Sequence, residues 1–194
     1  IILILLVKPD HVHWKGISHD EVVSKLCRSL STPDSYLLIK PHPRANIEEL
    51  QTLLADILLD NYQIVMDNVN YWANKADKVV SLLTFSCLSA LAVKKIPYIY
   101  WPITPDYKLF LDNGGNPALI KCFLQKDSSG RYHSIFNKYA VDVFQEFFEF
   151  PEMDEKIIKQ KLNNFSDEFI LSNNTAKEII DDINNWCHYN EKNV

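Results

Sequence analysis

At 194 residues, 47% of them hydrophobic, the chain is long enough to bury a core of ordinary size as one globular unit. Its net charge of −5 argues against nucleic acid as the main partner, because phosphate-backbone binders gather Lys and Arg on one face. The opening apolar run is too short to cross a membrane and lacks the basic start and small-residue cleavage site of a secretory leader.

In chain order, short apolar runs alternate with helix-length patterns. Ile1 to Val7 reads as a buried strand. A chain that opens without Met inside a strand carries the expectation of an upstream domain. Asp20 to Leu30 reads as a helix and Tyr36 to Lys40 as a second strand. Asn46 to Leu59 is an amphipathic helix with an Asn cap and Glu48 and Glu49 in its first turn. Tyr62 to Met66, Lys78 to Leu83 and Pro97 to Trp101 complete five strands, separated by helices over Asn70 to Lys75 and Ser86 to Lys94. Strands joined by helical crossovers predict an α/β fold with a doubly wound, Rossmann-like parallel sheet.

From Pro102 to about Gly130 the chain is irregular and rich in Pro, Asp, Asn and Gly, a length that marks functional loops. Beyond it helices are expected over Ser134 to Phe148, Asp154 to Leu162 and Thr175 to Trp186. The division is therefore an α/β domain over 1–132 and a helical extension over 133–194 packed on it. Residues 151–194 hold five lysines against nine acids, the pattern of a solvated face. Cys27, Cys87, Cys122 and Cys187 share no metal-ligand spacing and read as reduced thiols of a cytosolic protein.

Only four glycines occur, Gly16, Gly114, Gly115 and Gly130, and none lies in a strand-turn-helix setting, so neither a P-loop nor a dinucleotide fingerprint is present. Two other features suit a phosphate. Lys40-Pro41-His42-Pro43-Arg44 follows a strand directly and places two cations and an imidazole between ring-locked prolines, at the sheet edge where open α/β sheets bind ligands. Thr84, Ser86 and Ser89 stand at a strand-to-helix turn, where hydroxyls join unpaired N–H groups and the helix dipole. Asp106, with Tyr107 and Lys108, follows the fifth strand at a position suited to a ribose or base. His11 and His13 lack a partner set for zinc, and no Asp-x-Asp motif is present.

The order of these features resembles the C-terminal, donor-binding half of bacterial GT-B glycosyltransferases. The nearest likeness is to Kdo transferases and to the sialyltransferases with a His-Pro motif, enzymes of capsule and lipopolysaccharide synthesis. CDP-glycerol glycerophosphotransferases share a similar pair of motifs. The resemblance covers roughly residues 1–105. It implies a metal-independent transferase with no cofactor, whose substrates are a CMP-activated or other nucleotide sugar and a glycan or glycolipid acceptor. In it, His42 and Pro43 match the His-Pro motif at the nucleotide phosphate, with Lys40 and Arg44 beside it. Ser86, with Ser89 or Thr84, matches the serine motif that holds the same phosphate, and Phe85 and Cys87 depart from its compact Ser-Ser pair, which leaves open which hydroxyl makes the contact. The catalytic base of such enzymes is usually supplied by the N-terminal domain. A cytoplasmic location, with membrane association at the inner face through such a domain, is the matching expectation. A nucleotide-sugar epimerase and a non-catalytic partner-binding module are the other readings.

Overall fold

The computed structural model describes residues 1–7, 18–82, 84–101, 124–126, 128–129, 132–145 and 147–170. Its centre is a six-stranded parallel sheet formed by β1 (Ile2–Leu5), β2 (Leu37–Lys40), β3 (Tyr62–Ile64), β4 (Lys78–Ser81), β5 (Pro97–Trp101) and β8 (Val141–Phe144). The strand order is β3-β2-β1-β4-β5-β8. The doubly wound α/β expectation is thus met. β6 (Leu124–Lys126) and β7 (Tyr132–Ser134) form a separate antiparallel pair.

Strands covered on both faces must be apolar throughout, and the Ile-Leu-Ile-Leu of β1 answers that need. The period of two then sorts the neighbouring strands. Ile4, Ile39 and Val80 share one face with Val22, Val23 and Leu26 of α1 (His19–Leu30) and Leu50 and Leu54 of α2 (Ile47–Asp56). Leu3, Leu5, Leu38 and Val79 share the opposite face with Ala73 of α3 (Val69–Lys75) and Ala90 of α4 (Leu88–Ala92). A third cluster joins Leu91, Ile96 and Tyr139 to Phe165 of α5 (Glu155–Phe165).

Side-chain caps explain where the helices start. Ser18 accepts from the Glu21 amide at 3.1 Å, Asn46 from Glu48 at 3.0 Å, Asn68 from Asn70 at 2.8 Å and Asp154 from Lys156 at 2.7 Å. The ends are less orthodox. Leu58 and Lys94 follow α2 and α4 with φ of 55° and 60°, left-handed positions that glycine usually fills.

One expected helix is absent. Residues 134 to 148, whose Ile135, Tyr139, Val143 and Phe147 repeat at helical spacing, instead turn tightly and then enter the sheet. Asn137 donates to the Ser134 carbonyl at 3.0 Å and Ala140 to that of Phe136 at 2.7 Å. Val141-Asp142-Val143-Phe144 then pairs with β5, from Tyr98 opposite Val141 to Trp101 opposite Phe144. Free β5 backbone groups and a β-branched, aromatic strand sequence outweigh the helical period. The first part of the expected helical extension therefore completes the sheet. The helix expected over Thr175 to Trp186 lies outside the described residues.

Candidate functional site

The sheet order dictates where a ligand crevice forms. From β1 the chain winds outward through β2 to β3, then returns across the sheet to β4 on the other side of β1. Connections after β1 and β4 thus leave toward opposite faces, and open α/β sheets bind ligands outside the carboxyl ends at such a reversal. Lys40, Leu5 and Ser81, which close β2, β1 and β4, lie side by side in register. The loops carrying His42 and Ser86 therefore leave from one edge. They are not neighbours, because β1 stands between them, and two strand spacings put the strand ends roughly 10 Å apart.

The loop after β2 is built by its own sequence. His42 to Ala45 form a turn closed by the Ala45 amide on the His42 carbonyl at 2.9 Å, with Pro43 setting φ at its second position. The Arg44 amide donates to Nδ1 of His42 at 3.1 Å. A ring nitrogen that accepts carries no proton, which in the neutral ring leaves the proton on Nε2. Pro41 is buried, while Pro43 and Arg44 are exposed. Lys40 is only 9% exposed, and its ammonium donates to the Met66 carbonyl at 3.3 Å, on the β3 side of the loop. The Arg44 guanidinium is exposed and pairs with no acid among the described residues, which makes it the more available cation.

The turn after β4 differs from the expectation of hydroxyls capping a full helix. Phe85–Cys87 forms a 3-10 turn, and α4 after it is five residues long, with Cys87 at its cap position making no side-chain bond. Thr84 is the capping residue. Its Oγ1 accepts from the Ser86 amide at 3.3 Å, its hydroxyl donates to Ser86 Oγ at 3.4 Å, and its carbonyl accepts from the Cys87 amide at 3.1 Å. Thr84, Ser86 and Ser89 are all half-buried. A helix this short carries little dipole, so hydroxyls rather than a macrodipole are what this turn offers an anion.

Two residues that the sequence reading passed over lie beneath this turn. Ser81 is fully buried at the end of β4, and its Oγ has no partner among the described residues. A hydroxyl closing an otherwise apolar strand was the signal that marked it. Asp142 shares that face of the sheet through its pairing with Ile99, which itself pairs with Ser81. Its carboxylate accepts from the Ser134 amide at 2.7 Å and the Trp101 indole N–H at 3.1 Å. Burial pushes its acidity toward higher pH, against those two bonds and the His133 ring, which favour the anion. Burial, and after it the nearby Asp142 charge, hold the buried Cys87 thiol protonated. Asp142 is thus a brace linking β5, β7 and β8 under the hydroxyl turn. It was hidden inside the span read as a helix.

Of the expected site residues, Lys40, His42, Pro43 and Arg44 sit on one loop and Thr84, Ser86 and Ser89 on another along the same edge. Asp106, His11 and His13 lie outside the described residues. Among the described residues no helix is long and apolar enough to cross a membrane. Comparison with protein-family models, with curated proteins and with solved structures finds no match to this chain.

Proposed function

We propose that this chain is the donor-binding part of a nucleotide-sugar-dependent glycosyltransferase, taking a CMP-activated or related donor for surface polysaccharide synthesis. The observation that carries the reading is the shared carboxyl edge of β2, β1 and β4. It brings a proline-framed imidazole with an exposed arginine to one side of β1, and a hydroxyl turn to the other.

In this mechanism the acceptor oxygen attacks the anomeric carbon, and a new C–O bond forms as the bond to the nucleotide phosphate breaks. The electron pair leaves with the nucleotide. Nε2–H of His42 donates to the departing phosphate, Arg44 offsets its charge, and the Thr84 and Ser86 hydroxyls bond its remaining oxygens. Such groups act where charge develops, which is how electrostatic stabilisation lowers the barrier of a transfer step. The base that takes the acceptor's proton comes from the companion half that enzymes of this kind possess.

Thermal unfolding in the presence of CMP, CDP, UDP and an unrelated purine nucleotide tests the proposal. Selective stabilisation by CMP, lost in His42→Ala with the fold retained, is the expected result. Preference for CDP or UDP moves the reading to glycerophosphotransfer or epimerisation. No response to any pyrimidine nucleotide would overturn it.

A further inference from the structure

Away from the sheet edge, a groove of about 740 Å³ runs between α4 and α5. Leu91, Ile158, Leu162 and Phe165 give it an apolar floor, continuous with the cluster that fastens α5 to the sheet. Lys94, Lys156 and Lys159 stand on its rim, and Glu155 is the acid among the residues lining it. That volume falls within the range of small-molecule sites.

The rim lysines differ from the other lysines whose side chains are described. Lys25 pairs with Glu21, and Lys138 pairs with Glu168. Lys40, Lys95 and Lys161 donate to backbone carbonyls. Lys75 and Lys78 sit over the rings of Tyr71 and Phe150. Lys94, Lys156 and Lys159 are exposed and have no such partner among the described residues. The uncommitted ammonium groups thus gather around one apolar trough.

We infer that the α4–α5 groove binds a single-chain anionic amphiphile, with its acyl chain along the Leu91, Ile158, Leu162 and Phe165 floor and its headgroup against Lys94, Lys156 and Lys159. Charge complementarity selects the anionic head, and the apolar floor selects the chain. The concave shape favours one inserted molecule over a bilayer, which meets convex or flat apolar surfaces.

The test is calorimetric titration of the full chain with lysophosphatidylglycerol below its micelle threshold. Lysophosphatidylcholine provides the zwitterionic control, and phosphatidylglycerol vesicles the bilayer control. Saturable binding of the anionic lipid is expected, at least tenfold tighter than the zwitterionic one and weakened by added salt. The triple substitution Lys94→Gln, Lys156→Gln and Lys159→Gln, at exposed positions, should lower affinity for the anionic lipid at least tenfold. Ala92→Trp, at an exposed groove position, should abolish binding of both lipids without changing thermal unfolding; if it misfolds, the lysine variant decides alone. Binding that ignores headgroup charge, that survives the lysine substitutions, or that occurs with vesicles alone overturns the inference. So does a carbodiimide cross-link from these lysines to carboxylates of residues 171–194 that the lipid fails to displace.

Discussion

The Arg44 amide points at Nδ1 of the His42 ring from 3.1 Å, so the backbone of the loop itself decides which nitrogen of that imidazole carries the proton. Asparagine can accept the same amide bond through Oδ1, and it lacks the distal donor. His42→Asn is therefore expected to keep stability within about 0.5 kcal/mol and to lose the rise in melting temperature that the proposed function predicts with CMP. His42→Ala should lose both the ligand response and the turn bond. Equal ligand responses in the wild type and in His42→Asn would remove His42 from the phosphate site.

Ser81 carries a buried hydroxyl with no partner among the described residues, and removing such a group does not weaken a fold. Ser81→Ala is expected to leave urea stability unchanged or raised by up to about 1 kcal/mol. Ser81→Val tests volume at the same place. A large loss in Ser81→Ala would show that the hydroxyl has a structural partner.

Asp142 is half-buried and takes two N–H bonds, so its removal strands two donors. Asp142→Ala should destabilise by about 2–6 kcal/mol in urea unfolding, from two unsatisfied groups at about 1–3 kcal/mol each. The pH dependence has a defined sign. Burial raises this carboxyl in the folded state above its unfolded value, so the folded protein holds the proton more tightly. The Asp142 contribution to stability therefore grows as pH falls through the folded value toward the ordinary carboxylate value of about 4. The stability difference between wild type and Asp142→Asn, measured from pH 7 to pH 4, should shift toward the wild type on acidification. A shift in the other direction would contradict the burial argument.

Lys95 closes the end of α3 from a distance. Its ammonium donates to the carbonyls of Ala73 and Asn74, each at 2.8 Å, and to that of Ala76. These are the acceptors a helix leaves unpaired at its C-terminus, where a cation is also favoured by the dipole. Lys95→Met, which keeps the stem and removes the charge, should cost about 1–3 kcal/mol and loosen α3 first. Hydrogen exchange of the α3 amides would report that local effect.

Leu58 holds φ of 55° just beyond α2 while its side chain is 83% exposed. A β-carbon in that region costs about 1–2 kcal/mol, partly offset by the flexibility glycine adds to the unfolded chain. Leu58→Gly should therefore stabilise by roughly 0.5–1 kcal/mol, read as a higher urea midpoint at constant slope.

These left-handed positions also explain how much of the fold could be read from the residues. Strand cores were legible as apolar runs and the start of α2 by its Asn46 cap, both local signals, whereas the helix expected from Ser86 opens as a 3-10 turn and α4 begins only at Leu88. Helix ends were not legible, since Leu58 and Lys94 occupy places where a glycine would have announced the stop, and α2 was read through to Leu59. The span from 134 to 148 misled more seriously, because its apolar spacing satisfies a helix while the open edge of β5 selects a strand. The same distinction applies at the site. The Pro-His-Pro frame announces itself in sequence, whereas Ser81 and Asp142 matter through neighbours that only the sheet order supplies.

The place of β1 in the middle of the sheet has a consequence for how the protein is made. The strand emerges before the other five strands of its sheet and can pair on one side once β2 follows, yet its other flank stays open until β4, more than seventy residues later, arrives to cover it. Such long-range closure is slow. The shared edge that carries the candidate site therefore cannot exist before β4 and the turn after it are made, and nascent intermediates halted before β4 should be sticky at that flank of β1.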